Sequence, residues 1–528
     1  MAKMTGGQAL VKSLYREGVR VIFGLPGVQL YHLMDGLYDE PEIRFITTRH
    51  EQATTYMADG FARASGGIGT ALVVPGPGLQ NASAGIGTAY AASSPILVVA
   101  GQVQRELIGV DRGVLHEVND QLDTIRPITK WTQRVLEPAE IPEAVHEAFR
   151  QLQTGRPRPV EIEVPPETFE EEADIELLEP GIFERTPADG ARIRQAASLI
   201  SAAKKPLVYV GGGAVSSDAG EALVQVAELL QAPVICTSEG KGAITDRHYL
   251  SLGSVRFRRD LFMADHDLVL AVGTRLALPG MFSQKVVQID IDEAEIGRNY
   301  ADTFGLVGDA RRTLEELYHA LASTGSPRPD RRAELEAIKA EGINSSTHTE
   351  PQHSFVQALR RAIPDDGIIV PGMTQVGYYS RTDYPVYQPR TYLTSSYYGN
   401  LGYAYPVALG AKVAQPDRAV VAVSGDGGFL FNSQELSTAV MYGINAVVVV
   451  FNDGAYGNVL RDQKTRFSGR TIGAELHNPD FVKLAEAYGA RGVRVHDADA
   501  LESAVVEALD IDAPSLIEVP VGPMPSPY

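Results

Sequence analysis

A chain of 528 residues has room for about three domains of ordinary size, and with 44% hydrophobic residues it can bury a core in each. A formal charge of −19 excludes the basic surface that nucleic acid or an anionic membrane requires of a main partner. The single cysteine, Cys236, excludes a disulfide framework and a cysteine-rich metal site. The opening run MAKMTGGQALVKSLYREGV has no apolar signal-peptide segment, and runs such as AVVVVF are too short to span a bilayer, so a cytoplasmic protein is expected.

In chain order, short β-branched runs alternate with helical patterns three times, as in parallel sheets covered by helices. VRVIFGLPG, IRFITTRH, TALVVPGPG, PILVVAGQ and PVEIEVP make a first α/β domain over 1–165. The acidic, proline-punctuated PPETFEEEADIELLEPGIFERTPAD reads as a linker. KPLVYVGGGA, APVICTSEG, DLVLAVGTR and VVQIDIDEAE make a second domain over 190–322. STGSPRPDRRAELEAIKAEG is a surface connection with one helix. GIIVPGM, RAVVAVSGDGG, AVVVVFNDG and PSLIEVPV make a third over 350–528. The fold class expected is α/β, with three doubly wound parallel-sheet domains.

Two places carry chemistry. In TTRHEQATTYMADGFARASG, residues 47–66, a strand turns into an amphipathic helix and sets Glu51 beside His50 at the junction. On the residues alone, Glu51 complements the helix dipole. In the third block one strand runs into Gly425-Asp426-Gly427-Gly428, one helix follows, and the next strand ends in Asn452-Asp453-Gly454-Ala455. Both clusters fall at the carboxyl ends of neighbouring parallel strands, where open α/β sheets bind ligands. Glycines let backbone N–H groups approach a phosphate, while Asp426, Asp453 and the Ala455 carbonyl supply the hard oxygens that Mg2+ takes. Either cluster alone is an ordinary turn; together they point to a metal–diphosphate site.

These features, in this order, resemble the thiamine diphosphate enzymes of the acetolactate synthase, benzoylformate decarboxylase and pyruvate oxidase group. The resemblance rests on FGLPG with RHEQATTYMADGFAR, PGPGLQNASAGIGTAYAASSPILVVAGQ, KPLVYVGGGA with QIDIDEAEIGRN, and the GDG…ND motif. It implies that Glu51 is the buried acid that hydrogen-bonds N1′ of the cofactor's pyrimidine, favouring the imino form that takes the C2 proton. It places Pro26 and Gly27 of the GLPG loop, with Asn81, beside the pyrimidine. Gly399 would offer a carbonyl to the 4′-amino group, and Leu401 would bend the two rings into a V. Gly372, Met373 and Thr374, with Gly425, Gly427, Gly428, Tyr456 and Gly457, would lie along the diphosphate. Asp426, Asp453 and the Ala455 carbonyl would hold Mg2+, with Asn452 a candidate to swing in for Asp453. Because Glu51 and Asp426 lie on different domains, the family's arrangement implies a homodimer or homotetramer with active sites at subunit interfaces.

The reaction is less constrained, because the chain departs from each relative. DRGVLHEVNDQ places His116 where acetolactate synthases have a glutamine, in a loop two residues longer. His116 can relay a proton or be structural. Where keto-acid decarboxylases have an acid after GLPG, this chain has Val28 and Gln29. A pocket without that acid favours joining two carbonyl compounds over release of an aldehyde. The expected activity is therefore an acetolactate-synthase-like carboligase acting on 2-oxo acids, with a decarboxylase or hydroxyketone lyase as the alternative. In GNVLRDQKTRF, Asp462 stands where synthases carry a tryptophan, and Arg461 can hold a substrate carboxylate or lie solvated. In the middle domain YVGGGAVSSDAG lacks the third glycine of a dinucleotide turn, and LGSVRFRRDLF replaces the glycine- and histidine-bearing segment of flavin-binding synthases, so tightly bound FAD is not expected.

Overall fold

Runs of apolar residues with no polar interruption form strands buried on both faces, which only a parallel sheet covered by helices provides. Val447, Val448, Val449 and Val450 are each at most 1% exposed. The computed structural model describes residues 1–254, 265–278, 280–324, 328–343 and 348–527. Among them are three all-parallel sheets.

The first sheet runs Arg44–Thr47, Val21–Gly24, Gly69–Val73, Ile96–Gly101, Val160–Val164, Trp131–Arg134. From Val21–Gly24 the chain goes outward to Arg44–Thr47 and then returns to the other side at Gly69–Val73. The GLPG and PGPG turns therefore face each other where the strand order reverses, the crevice in which such sheets take ligands. The second sheet runs Ser251–Ser254, Val234–Cys236, Pro206–Val210, Leu268–Val272, Lys285–Asp290, Thr303–Val307. The third runs Ile368–Pro371, Val420–Gly425, Val447–Asn452, Ser515–Pro520, Arg491–Arg494. Helices cover these sheets, so the α/β class with parallel sheets expected from the pattern is what the chain forms.

The structure adds strands that hydrophobic runs did not mark. Trp131–Arg134, Ser251–Ser254, Thr303–Val307 and Arg491–Arg494 are all edge strands, partly exposed and short. Ala2–Thr5 pairs antiparallel with Glu172–Ile175, so part of the acidic linker is a ribbon strand, with Lys3 Nζ 2.7 Å from Glu172. Asp426, Gly427 and Gly428 themselves form a single helical turn, Asp426–Phe429, and the one helix expected between GDGG and the next strand is Glu435–Tyr442. Of LGSVRFRRDLF, residues 255–262 lie outside the described residues. Among the described residues no helix is long and apolar enough to cross a membrane.

The cores are divided unevenly. The second sheet has its own core, whereas one continuous core takes in Phe23, Ile46 and Met57 of the first domain and Val407, Val420 and Phe429 of the third. The Glu51–Ser65 and Ala404–Ala414 helices make this contact backbone to backbone. A Cβ on Gly60 would lie 2.0 Å from the Val407 carbonyl oxygen, and one on Gly410 would lie 1.9 Å from that of Met57. Arg63 is one of the links to the second domain: it donates to Glu239 (2.8 Å) and to the Thr394 carbonyl (2.6 Å) and lies 3.5 Å from the buried Asp59.

Glu161 sits in the middle of the Val160–Val164 strand, fully buried, and neither carboxylate oxygen has a hydrogen-bond partner among the described residues. Burial, and then the neighbouring Glu163, push its carboxyl well above the usual range. The folded chain thus holds a proton that the unfolded chain releases at its ordinary pKa, so stability falls as pH rises through that window. Glu161→Gln removes this penalty, at about 1.4 kcal/mol for every tenfold change in acidity. Its thermal midpoint should exceed wild type by more near pH 8 than near pH 5; a pH-independent difference would show that Glu161 is ionised in the fold.

Candidate functional site

The strands Val420–Gly425 and Val447–Asn452 end side by side, with Gly425 opposite Phe451. Asp426 follows at once and is 2% exposed. Its Oδ2 accepts from Asn478 Nδ2 at 2.6 Å, and the same nitrogen donates to Asn452 Oδ1 at 2.9 Å, which fixes the amide's orientation. Asn452 Nδ2 donates to Glu518 Oε1 at 2.8 Å, so this amide faces the Ser515–Pro520 strand. Asp453 Oδ1 accepts from the Ala455 N–H at 3.2 Å. Burial raises both aspartates, and the closeness of Asp426 raises Asp453 further, to about 6. Asn478 Oδ1 is buried without a partner among the described residues. Two crowded acids and an orphaned amide oxygen lack positive charge, and a hard divalent cation fits that donor set.

Around this pair the glycines allow close approach. A Cβ on Gly427 would lie 2.6 Å from the Tyr456 ring, and one on Gly457 would lie 2.1 Å from Asp453 Oδ2. The Gly372–Thr374 segment reaches the same place: Gly372 N–H donates to the Val423 carbonyl at 2.6 Å, and Thr374 Cβ is 3.4 Å from where Gly425 would carry a Cβ. Gly399, at φ 64°, lies against the Met373 methyl, and Leu401 lies across from Gly428. Arg461 donates to Gln375 Oε1 at 3.0 Å and also bonds Asn458, so it is held rather than solvated, while Asp462 lies 3.7 Å from Arg466.

On the first domain His50 caps its helix, its Nδ1 accepting from the Gln52 N–H at 3.2 Å, which leaves Glu51 as the first helical residue. The Glu51 side chain is 14% exposed. Asn81 Nδ2 donates to its Oε2 at 3.1 Å, and Gly78 leaves room beside its Cγ. A second cluster joins the facing turns. His116 Nδ1 is 3.1 Å from Gln29 Oε1, and a Cβ on Gly76 would lie 2.3 Å from the His116 carbonyl oxygen. Gly27 follows Pro26 and packs against Val74, while Val28 is 54% exposed in the single chain.

Comparison with known proteins places these clusters in context. Residues 4–124 match the N-terminal TPP binding domain of thiamine pyrophosphate enzymes, 193–317 the central domain and 372–519 the C-terminal TPP binding domain. The chain belongs to the thiamine pyrophosphate enzymes. This thiamine diphosphate enzyme is 35% identical over 551 residues to a probable acetolactate synthase large subunit of Methanocaldococcus jannaschii, covering 98% of this chain and 92% of that protein. It is 34% identical to the acetolactate synthase isozyme 3 large subunit of Escherichia coli, covering 97% and 93%. It is also 34% identical to a probable 2-ketoarginine decarboxylase of Pseudomonas aeruginosa, covering 98% and 94%.

Two residues at the site carry no sequence signal. Asn478 stands in HNPDF, which reads only as a turn, yet it donates to Asp426. Gln121 accepts from the Gly76 N–H at 2.8 Å and donates to the Gly101 carbonyl and to Glu163, each at 2.9 Å, pinning the PGPG turn from behind. Asn478→Ala should weaken Mg2+-dependent thiamine diphosphate binding by about 10-fold or more, the usual effect of losing a partner that orients a metal ligand. Calorimetry in Mg2+ showing wild-type affinity would remove Asn478 from the cation site.

Proposed function

We propose that this enzyme is a thiamine diphosphate- and Mg2+-dependent carboligase that takes CO2 from a 2-oxo acid such as pyruvate and joins the remainder to a second carbonyl compound, as an acetolactate synthase does. What carries the reading is the acid pair Asp426 and Asp453 beside the orphaned Asn478 oxygen, on a chain that elsewhere pairs Glu51 with Asn81. In it, Asp426, Asp453 and the Ala455 carbonyl hold Mg2+. Gly425, Gly427, Gly428, Tyr456, Gly457 and the Gly372–Thr374 segment receive the diphosphate. Gly399 and Leu401 support the bent cofactor, with Pro26 and Gly27 at its pyrimidine.

When bound, thiamine diphosphate supplies an acidic carbon that adds to the 2-oxo carbonyl and takes up the electrons left by CO2. Glu51 holds a proton at the pyrimidine N1′, and Asn81 keeps its carboxylate aimed. The linked side chains of His116 and Gln29 hold a proton on the substrate side. Val28 offers no acid there. Homodimers or homotetramers in the cytoplasm, with Glu51 and Asp426 brought together from different subunits, belong to the same reading.

The middle domain is proposed to work without FAD. Its glycine turn is used for packing: a Cβ on Gly211 would lie 2.4 Å from the Gly273 carbonyl oxygen, and one on Gly213 would lie 2.7 Å from Gly273 Cα. The alternative, a decarboxylase or hydroxyketone lyase, is supported by His116 itself and by the likeness to a probable 2-ketoarginine decarboxylase.

Glu51→Gln should still bind thiamine diphosphate, because the diphosphate anchor is on another domain. Hydrogen exchange at the cofactor's C2, followed by NMR, should slow about 10²–10⁴-fold, the ordinary worth of acid–base assistance. Exchange at the wild-type rate would end the assignment. Incubated with pyruvate, glyoxylate or benzoylformate and analysed by mass spectrometry, the wild-type enzyme should give mainly a 2-hydroxy ketone. Val28→Asp should shift output toward free aldehyde, where about 1.4 kcal/mol between the two barriers is a tenfold change in ratio. Aldehyde as the main wild-type product with acceptor abundant would favour the decarboxylase instead.

A further inference from the structure

A second set of metal-binding side chains lies away from the site described above. His348, His353 on the Gln352–Ala362 helix, and Asp383 at the end of the Gln375–Asp383 helix each offer one ligating atom, and these atoms all lie within 4.8 Å of one another. The two imidazoles stack at 3.8 Å between ring centroids with 17° between planes, which fixes them relative to each other. The Tyr379 hydroxyl, one turn before Asp383, is 3.2 Å from His348 Nδ1 and 3.4 Å from His353 Nδ1. Independently of this convergence, Asp383 Oδ2 is buried with no hydrogen-bond partner among the described residues. A carboxylate oxygen out of water and without a donor calls for a cation.

We infer that His348, His353 and Asp383 form a second cation site, for a transition metal ion of the Zn2+ class. Two imidazoles and one carboxylate are the donors that Zn2+, Ni2+ or Cu2+ select, whereas Mg2+ and Ca2+ take oxygen throughout. With bonds of about 2.0–2.2 Å, tetrahedral ligands of one ion stand about 3.5 Å apart, so closing on it requires movements of about 1 Å. Three protein ligands leave a fourth position for water. The site is separate from the proposed Mg2+ site: Thr374, beside Gly425, immediately precedes the nine-residue Gln375–Asp383 helix, and Asp383 lies at the far end, ~13 Å along the axis. An ion here ties this helix to the Gln352–Ala362 helix and to the chain entering it, so its binding stabilises the third domain.

The test uses tag-free, chelator-treated enzyme reloaded with thiamine diphosphate and Mg2+, and then titrated with Zn2+ with the excess removed. One Zn2+ per chain should be retained by elemental analysis, and the thermal midpoint should rise. Asp383→Asn and His353→Gln should each bind Zn2+ at least about 10-fold more weakly, and Tyr379→Phe about 10–100-fold, with circular dichroism confirming that each is folded. Asp426→Asn should bind Zn2+ as wild type does, which separates this site from the proposed Mg2+ site whatever becomes of the proposed reaction. Wild-type enzyme that retains no Zn2+, or retention that survives in folded His353→Gln and Asp383→Asn, would overturn the proposal.

Discussion

The crossing of the Glu51–Ser65 and Ala404–Ala414 helices is the contact on which the rest depends. Gly60 and Gly410 bring backbone against backbone, so neither position admits a side chain without prising the helices apart. Because these helices share one core, the first and third domains are packed against each other, whereas the second has a core of its own. Glu51 opens one of the helices and Leu401 precedes the other by three residues. Core packing, which contains no polar chemistry, thereby determines where the polar residues stand. Close packing transmits such constraints because an interior at crystal-like density cannot absorb an extra methyl group.

Behind the Asp426 loop the polar groups form a chain. Asn478 bridges Asp426 and Asn452, Asn452 bonds Glu518, and Glu518 accepts from Arg494, which also reaches Asp480 at 2.9 Å. Asp480 caps the Phe481–Tyr488 helix. The two loops at the strand ends are therefore oriented from the far edge of the third sheet. Asn452 is held in this chain by Asn478 and Glu518, while burial and the nearby Asp426 raise the Asp453 carboxyl.

How much of this could be read from the sequence depended on how local the cause was. Central strands were legible because burial on both faces leaves a run such as Val447–Val450, and the nearness of Asp426 to Asp453 was legible because a glycine–acid cluster follows each of two neighbouring parallel strands. The edge strand Trp131–Arg134 was not, since half-exposed strands mix polar and apolar residues and lose the signal. Asn478 and Gln121 were hidden for another reason: an amide in a loop has no periodicity, and its partners are set by tertiary structure alone. Gly60 and Gly410 would even be taken for weak points of their helices, because the carbonyl each one admits comes from a distant part of the chain.

His116 adopts a left-handed backbone, φ 69°, with its carbonyl pressed against Gly76. Left-handed geometry costs a residue with a Cβ about 1–2 kcal/mol, and asparagine, aspartate and histidine tolerate it better than most. Position 116 is thus constrained twice, once by the bond from its ring to Gln29 and once by the path of its main chain. Glycine there would relax the loop while removing the ring's bond to Gln29, whereas alanine would remove that bond and keep the strain. A series of substitutions at this position therefore varies two quantities at once, and asparagine, which fits the backbone without the imidazole, is the variant that separates them.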